Sequence, residues 1–96
     1  MQTRKFALGK TVITPGAAVA FEKSGESTSY YLTRHVTGDW GEIDTEDWEA
    51  NNEALTPGQE QRVLSRYLIG DHPKTVIWII TEWDRSVTTI LLPEEY

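Results

Sequence analysis

Apolar positions along this chain fall into two regimes that meet near residue 60. Before it they come singly or in pairs at helical spacing, and after it they gather into dense β-branched and aromatic runs. The opening "FALGKTVITPGAAVAFEKSG" predicts a short extended segment followed by a helix. Thr14 is placed to cap that helix, Pro15 stands where a missing N–H costs nothing, Ala17, Ala18 and Ala20 favour it, and Gly25 ends it. Ser27 or Thr28 caps a second helix, "SYYLTRHVTG", in which Tyr31, Leu32 and His35 share a stripe and Gly38 supplies a left-handed stop. Asp44 with Asp47 three residues on resembles a capping box for a third helix, "TEDWEANNEAL", with Trp48 and Leu55 on one face. "TPGQ" breaks it.

Past residue 60, "RVLSRYLI", "TVIWIITEW" and "VTTILLP" read as strands, joined by the turn chemistry of "GDHPK" and "DRS". Trp78, inside "VIWII", is expected in the core, as is most of Trp48, with Trp83 the more exposed ring. The expected fold is α+β: two or three short N-terminal helices packed on a three-stranded antiparallel C-terminal β-meander, as a single domain over 1–96.

The composition narrows the function classes. The chain has no cysteine, so disulfides, thiolate nucleophiles and Cys-based zinc sites are out, and a reducing compartment is the expected home. The longest apolar run is far too short for a membrane span, and the N-terminus has no signal-peptide core. We therefore expect a cytoplasmic protein with no membrane partner. A net charge of −6 argues against direct nucleic-acid binding, because nine basic residues are scattered and form no run. Two histidines, one beside Pro73, do not make a His-dominated metal site, and EF-hand spacing is absent. No metal and no cofactor is expected.

Charge distribution changes the picture most. Asp39, Glu42, Asp44, Glu46, Asp47, Glu49, Glu53 and Glu60 place eight of the fifteen acids between His35 and Gln61, with no Lys or Arg among them. Glu46, Glu49 and Glu53 project from one side of the third helix, and Asp44 and Asp47 sit where the helix dipole favours negative charge. The dipole leaves Glu49, Glu53 and Glu60 unexplained, so either this is an ordinary solvated face or it is a surface that steers a basic groove toward it. Asp39, Trp40, Glu42, Glu46, Glu49, Glu53 and Trp83 are the candidate partner-binding residues of that second reading.

A rival constellation comes from "HVTGDWG" and the "TEWDRS" turn. If these converge, His35, Asp39, Glu82, Asp84, Arg85 and Ser86 would form a polar cleft for acid–base work or for an anionic, nucleotide-like small molecule. The plainer readings are a charged His35 at a helix C-terminus, an Asx-type turn with Trp40 folded onto the core, and a turn in which Arg85 pairs with Glu82 or Asp84.

"YLTRHVTGDWGEIDTEDWEANNEAL", "RVLSRY" and "WIITEWDRSVTTILLPEEY" resemble a widespread group of small bacterial, plasmid and phage proteins. Their names include "plasmid-related protein" and "type I restriction subunit M". A methyltransferase does not fit, since no Gly-rich loop follows a strand and the chain cannot hold a Rossmann-type cofactor domain. The group's recurrent polar positions fall on His35, Gly38, Asp39, Trp40, Gly41, Asp47, Glu82, Asp84, Arg85, Thr88 and Thr89. Trp83 stands where the group has a small residue. The resemblance implies a mobile-element protein, and with the acidic surface it leads us to expect a non-catalytic inhibitor of a host defence nuclease, of anti-CRISPR or anti-restriction type. The alternative is the small-molecule binder or enzyme built on the His35 cleft.

Overall fold

The computed structural model describes residues 3–96. It is an α+β domain of three helices and a four-stranded mixed sheet. β1 (Lys10–Ile13) leads into α1 (Pro15–Ser24), α2 (Thr28–Val36) and α3 (Thr45–Ala54). A meander of β2 (Val63–Ile69), β3 (Thr75–Thr81) and β4 (Val87–Leu91) follows, and a single 3-10 turn (Pro93–Glu95) closes the chain. The spatial order is β1-β4-β3-β2, antiparallel except that β1 runs parallel to β4, Thr11 beside Thr88 and Ile13 beside Ile90.

The three-stranded sheet expected from the sequence is therefore one strand short. The extended opening segment is itself an edge strand whose partner lies some 77 positions later in the chain (Lys10↔Val87), so no local pattern announces the pairing.

The caps follow the sequence logic closely. The Thr14 hydroxyl accepts from the Ala17 amide, Pro15 opens α1, and Gly25 at φ +72° ends it. The Asp44 carboxylate accepts from the Asp47 amide at 2.9 Å to start α3. The Glu95 side chain bonds the Gly16 amide at 2.9 Å, so the final turn of the chain is fastened to the start of α1.

Alternation along the strands turns Tyr67, Ile69, Ile77, Ile79 and Ile90 toward α1 and α2, where Ala17, Phe21 and Tyr31 complete the main core. A second, smaller cluster of Trp40, Ala54 and Val63, with Phe6 and Leu55 against it, sits beneath α3. α3 lies beside the free edge of β2. The Asn51 side chain donates to the Leu64 carbonyl at 2.7 Å and accepts from its amide at 3.0 Å, standing in for a neighbouring strand. One residue pair along, the Arg66 amide donates to Trp40 O at 3.0 Å and the Glu42 amide to Arg66 O at 2.6 Å. The β2 edge is thus closed over Leu64 and Arg66.

Two tryptophans differ from expectation. Trp48 is 37% exposed, because Asn51 and Ala54 are the only buried residues of α3. Trp78 is only half-buried, because the register puts it on the sheet face away from the helices, where the Tyr96 ring meets it edge-on at 5.8 Å. Trp83, at the β3–β4 turn, is 63% exposed.

Candidate functional site

His35 occupies the last turn of α2, yet it is fully buried and does not serve as a charged cap. Its Nδ1 lies 2.6 Å from Ser65 Oγ and its Nε2 lies 2.9 Å from Thr81 Oγ1. Thr81 Oγ1 is 2.7 Å from Thr88 Oγ1, and Thr88 donates to the Leu8 carbonyl at 2.7 Å. A carbonyl only accepts, so the direction of the whole chain follows from this last link. Thr88 donates to Leu8, Thr81 to Thr88, His35 Nε2–H to Thr81, and Ser65 Oγ–H to His35 Nδ1. The ring is therefore a neutral Nε2–H tautomer. Burial, with the nearby Arg85 charge adding to it, lowers the His35 pKa to about 3. The rings of Phe6 at 5.2 Å and Trp40 at 5.9 Å enclose it.

The "GDWG" loop answers to backbone geometry. Gly41 has φ +77°, and a Cβ there would lie 2.2 Å from the Arg66 carbonyl and 2.7 Å from the Tyr67 ring, so only glycine lets this segment bridge to β2. Trp40 is fully buried, which withdraws it from the candidate partner-binding set. Asp39 pairs with Arg34 at 2.8 Å, and that guanidinium lies 4.7 Å over the Tyr67 ring. The hydrogen bond from Arg34 holds the Asp39 carboxyl below its ordinary range. The Tyr67 hydroxyl donates to the Asp39 carbonyl at 2.6 Å.

Arg85 pairs with neither Glu82 nor Asp84. At φ +61° it sends its guanidinium back under the turn, to Ala54 O at 2.8 Å, Gln61 O at 2.6 Å and Glu82 O at 3.2 Å. It thereby caps the negative end of the α3 dipole and fastens three segments together. Asp84 accepts from the Ser86 amide at 3.1 Å and its hydroxyl at 2.6 Å, an Asx turn that lowers the Asp84 pKa.

The proposed cleft residues are thus distributed among different tasks. His35 is in the core, Asp39 is in an ion pair on α2, Asp84 and Ser86 hold the turn, and Arg85 is spent on carbonyls. Ser65 and Thr81, the groups that do meet His35, were legible only as polar residues on otherwise apolar inward strand positions. No cluster of three or more His, Asp or Glu able to hold a metal occurs among the described residues. No helix there is long and apolar enough to cross a membrane.

The acidic residues have a different setting. Glu42, Glu46, Glu49 and Glu53 are all exposed, and so are Asp44, Asp47, Glu60, Glu82 and Asp84. Arg34–Asp39 is the one ion pair among the described residues, so none of these nine is neutralised by a basic neighbour. Because Arg85 ties Ala54 to Glu82, the β3–β4 turn is drawn against the C-terminal end of α3. The exposed acids Glu82 and Asp84 and the exposed Trp83 ring are thereby held near the end of α3. Comparison with protein-family models, curated proteins and solved structures gives no match.

Proposed function

We propose that the chain is a non-catalytic binding protein that presents α3 and the β3–β4 turn to the basic groove of a nucleic-acid-binding effector. The observation that carries this reading is the run of exposed acids without basic partners on α3 and the adjoining turn. Retaining like charges on one helix face is mildly destabilising, and electrostatic recognition of a positive partner offsets that cost. Trp83, beside those acids, supplies the large apolar anchor that interface centres favour. The resemblance to mobile-element proteins supports taking the effector to be a host defence nuclease of CRISPR or restriction type.

The residues of the rival cleft give it little support, since the side chains of all but the exposed Glu82 are already hydrogen-bonded within the fold. Affinity capture tests the proposal. Tagged native protein and a Glu46→Lys/Glu49→Lys/Glu53→Lys variant are incubated with lysate from a host carrying both defence systems. An effector or nuclease subunit held by the native form and lost by the variant is expected. Equal retention by both forms would refute the assignment of the surface.

A further inference from the structure

The two edges of the sheet are finished differently. On β2, the backbone groups of Leu64 and Arg66 that point off the edge are taken up by the Asn51 side chain and by Trp40 and Glu42. On β1 they are not. The Lys10 amide donates to Ser86 O at 2.9 Å and the Thr14 amide to Ile90 O at 3.0 Å, so Lys10, Val12 and Thr14 turn their backbone toward β4. A strand's backbone groups alternate sides residue by residue, so Thr11 and Ile13 turn theirs away. Among the described residues no loop or side chain bonds to them, and both residues are exposed, Ile13 by 41%. Two N–H and two C=O groups are left for another strand to meet. Edges of this kind are usually blunted by proline, charge, a bulge or shortness, and β1 has only its shortness and Lys10.

This edge is complementary to itself. An antiparallel two-fold pairing that uses both residues sets Thr11 of each copy opposite Ile13 of the other, which forms four hydrogen bonds and doubles the four-stranded sheet. Val12 then lies against its own symmetry mate. A slip of two residues loses this, because it sets Thr11 against Pro15, which has no N–H, or Ile13 against Gly9, whose φ of +64° is not a strand conformation. The favoured register also sets Lys10 opposite Thr14, whose hydroxyl is bonded to Glu95. Lys10 has no carboxylate within ion-pair distance in its own chain, and the pairing brings one within reach, twice by symmetry. A foreign strand would satisfy the same amides without that reciprocal match.

We propose that a second copy of this chain pairs with the β1 edge, antiparallel about Val12. Four residues a side bury less than the ~1,200 Å² of a stable interface, and each copy carries a net charge of −6, so the dimer is weak and reversible. It does not involve the acidic α3 surface.

The test is amide hydrogen exchange on the full chain at micromolar and at millimolar concentration, with sedimentation equilibrium alongside. Dilute protein should exchange Thr11 and Ile13 rapidly while Val12 and Thr14 stay protected. Concentrated protein should slow Thr11 and Ile13 at least tenfold and sediment in part as a dimer. Thr11→Pro removes an N–H that β4 does not use, so it should abolish the dimer while moving the thermal melt by only a few degrees. Lys10→Gln should weaken the dimer at least threefold, and Lys74→Gln, the same charge change at an exposed site off this edge, should not. Effector capture by Thr11→Pro should equal that of native protein, which separates this inference from the proposed function. The inference is overturned by a monomer at every concentration, by Thr11 and Ile13 amides already protected in dilute protein, or by a dimer whose newly protected amides lie elsewhere. A dimer indifferent to Thr11→Pro, or weakened equally by the two lysine changes, would overturn it as well.

Discussion

Acidification should unfold this protein through His35 before most of its carboxylates matter. The ring is buried and neutral, with a pKa of about 3 in the fold against 6.5 in a solvated chain. The unfolded state therefore takes up a proton that the folded state refuses. The sign follows from that difference: stability is complete above pH 6.5 and falls as pH drops toward 3, by about 1.4 kcal/mol for each pH unit. Between pH 6.5 and 4.5 the loss is about 2 kcal/mol. A domain of this size holds only about 5–15 kcal/mol in total, so the change is readily seen. Urea denaturation at pH 7.0, 5.5 and 4.5, followed by tryptophan fluorescence, gives the free energies. Long-range 15N spectra of the His35 ring report its tautomer and titration directly. The reasoning predicts one protonated Nε2, one unprotonated Nδ1 and no titration of the folded ring down to pH 4.5. A ring that titrates near 6.5, or a denaturation free energy flat between pH 7 and 4.5, would refute the hydrogen-bond directions assigned here.

Other substitutions separate structural roles from binding. Gly41→Ala should destabilise by about 2 kcal/mol or more, because a positive φ and a collision with the Arg66 carbonyl coincide; a thermal melt should fall by roughly 10 °C. Asn51→Ala removes both bonds to Leu64 at the β2 edge and should cost about 2 kcal/mol in urea denaturation, leaving partner capture intact in the folded fraction. Arg85→Ala should cost a similar ~2 kcal/mol by releasing Ala54 and Gln61, and loss of binding without any loss of stability would instead favour the rival cleft. Glu46→Lys/Glu49→Lys/Glu53→Lys should change unfolding stability by less than about 1 kcal/mol, since all three are exposed and unpaired.

Local chemistry in the sequence located the helices and the meander well. Thr14, Pro15 and Gly25 bound α1 through interactions within a few residues, and such signals survive in any tertiary context. The opening segment read as extended, but its place in the sheet did not show, because its partner β4 lies at the far end of the chain. His35 was misleading for the same reason. A helix-end histidine reads as a charged cap, whereas its partners Ser65 and Thr81 arrive from strands 30 and 46 residues away. Their signal was faint: Ser65 sits between Val63 and Tyr67 on the inward side of β2, where an aliphatic residue would be ordinary. Gly41, in the "HVTGDWG" segment, is needed for close approach to a neighbouring strand, a demand that no local pattern in the sequence announces. The acidic run read the same way in sequence and in three dimensions, because exposure changes little about a charge. The tie between the β3–β4 turn and the end of α3 depends on the Arg85 clamp and was not visible in sequence.

The central claim, that the acidic side of α3 is the working surface, is tested most directly in cells. Plasmid transformation efficiency is measured in a host with an active CRISPR or restriction defence against that plasmid, expressing native protein or the Glu46→Lys/Glu49→Lys/Glu53→Lys variant at equal levels. The account predicts that native protein raises transformation to the level of a defence-free host and that the variant does not. Equal protection by the two forms, or none by the native protein against either defence, would contradict it.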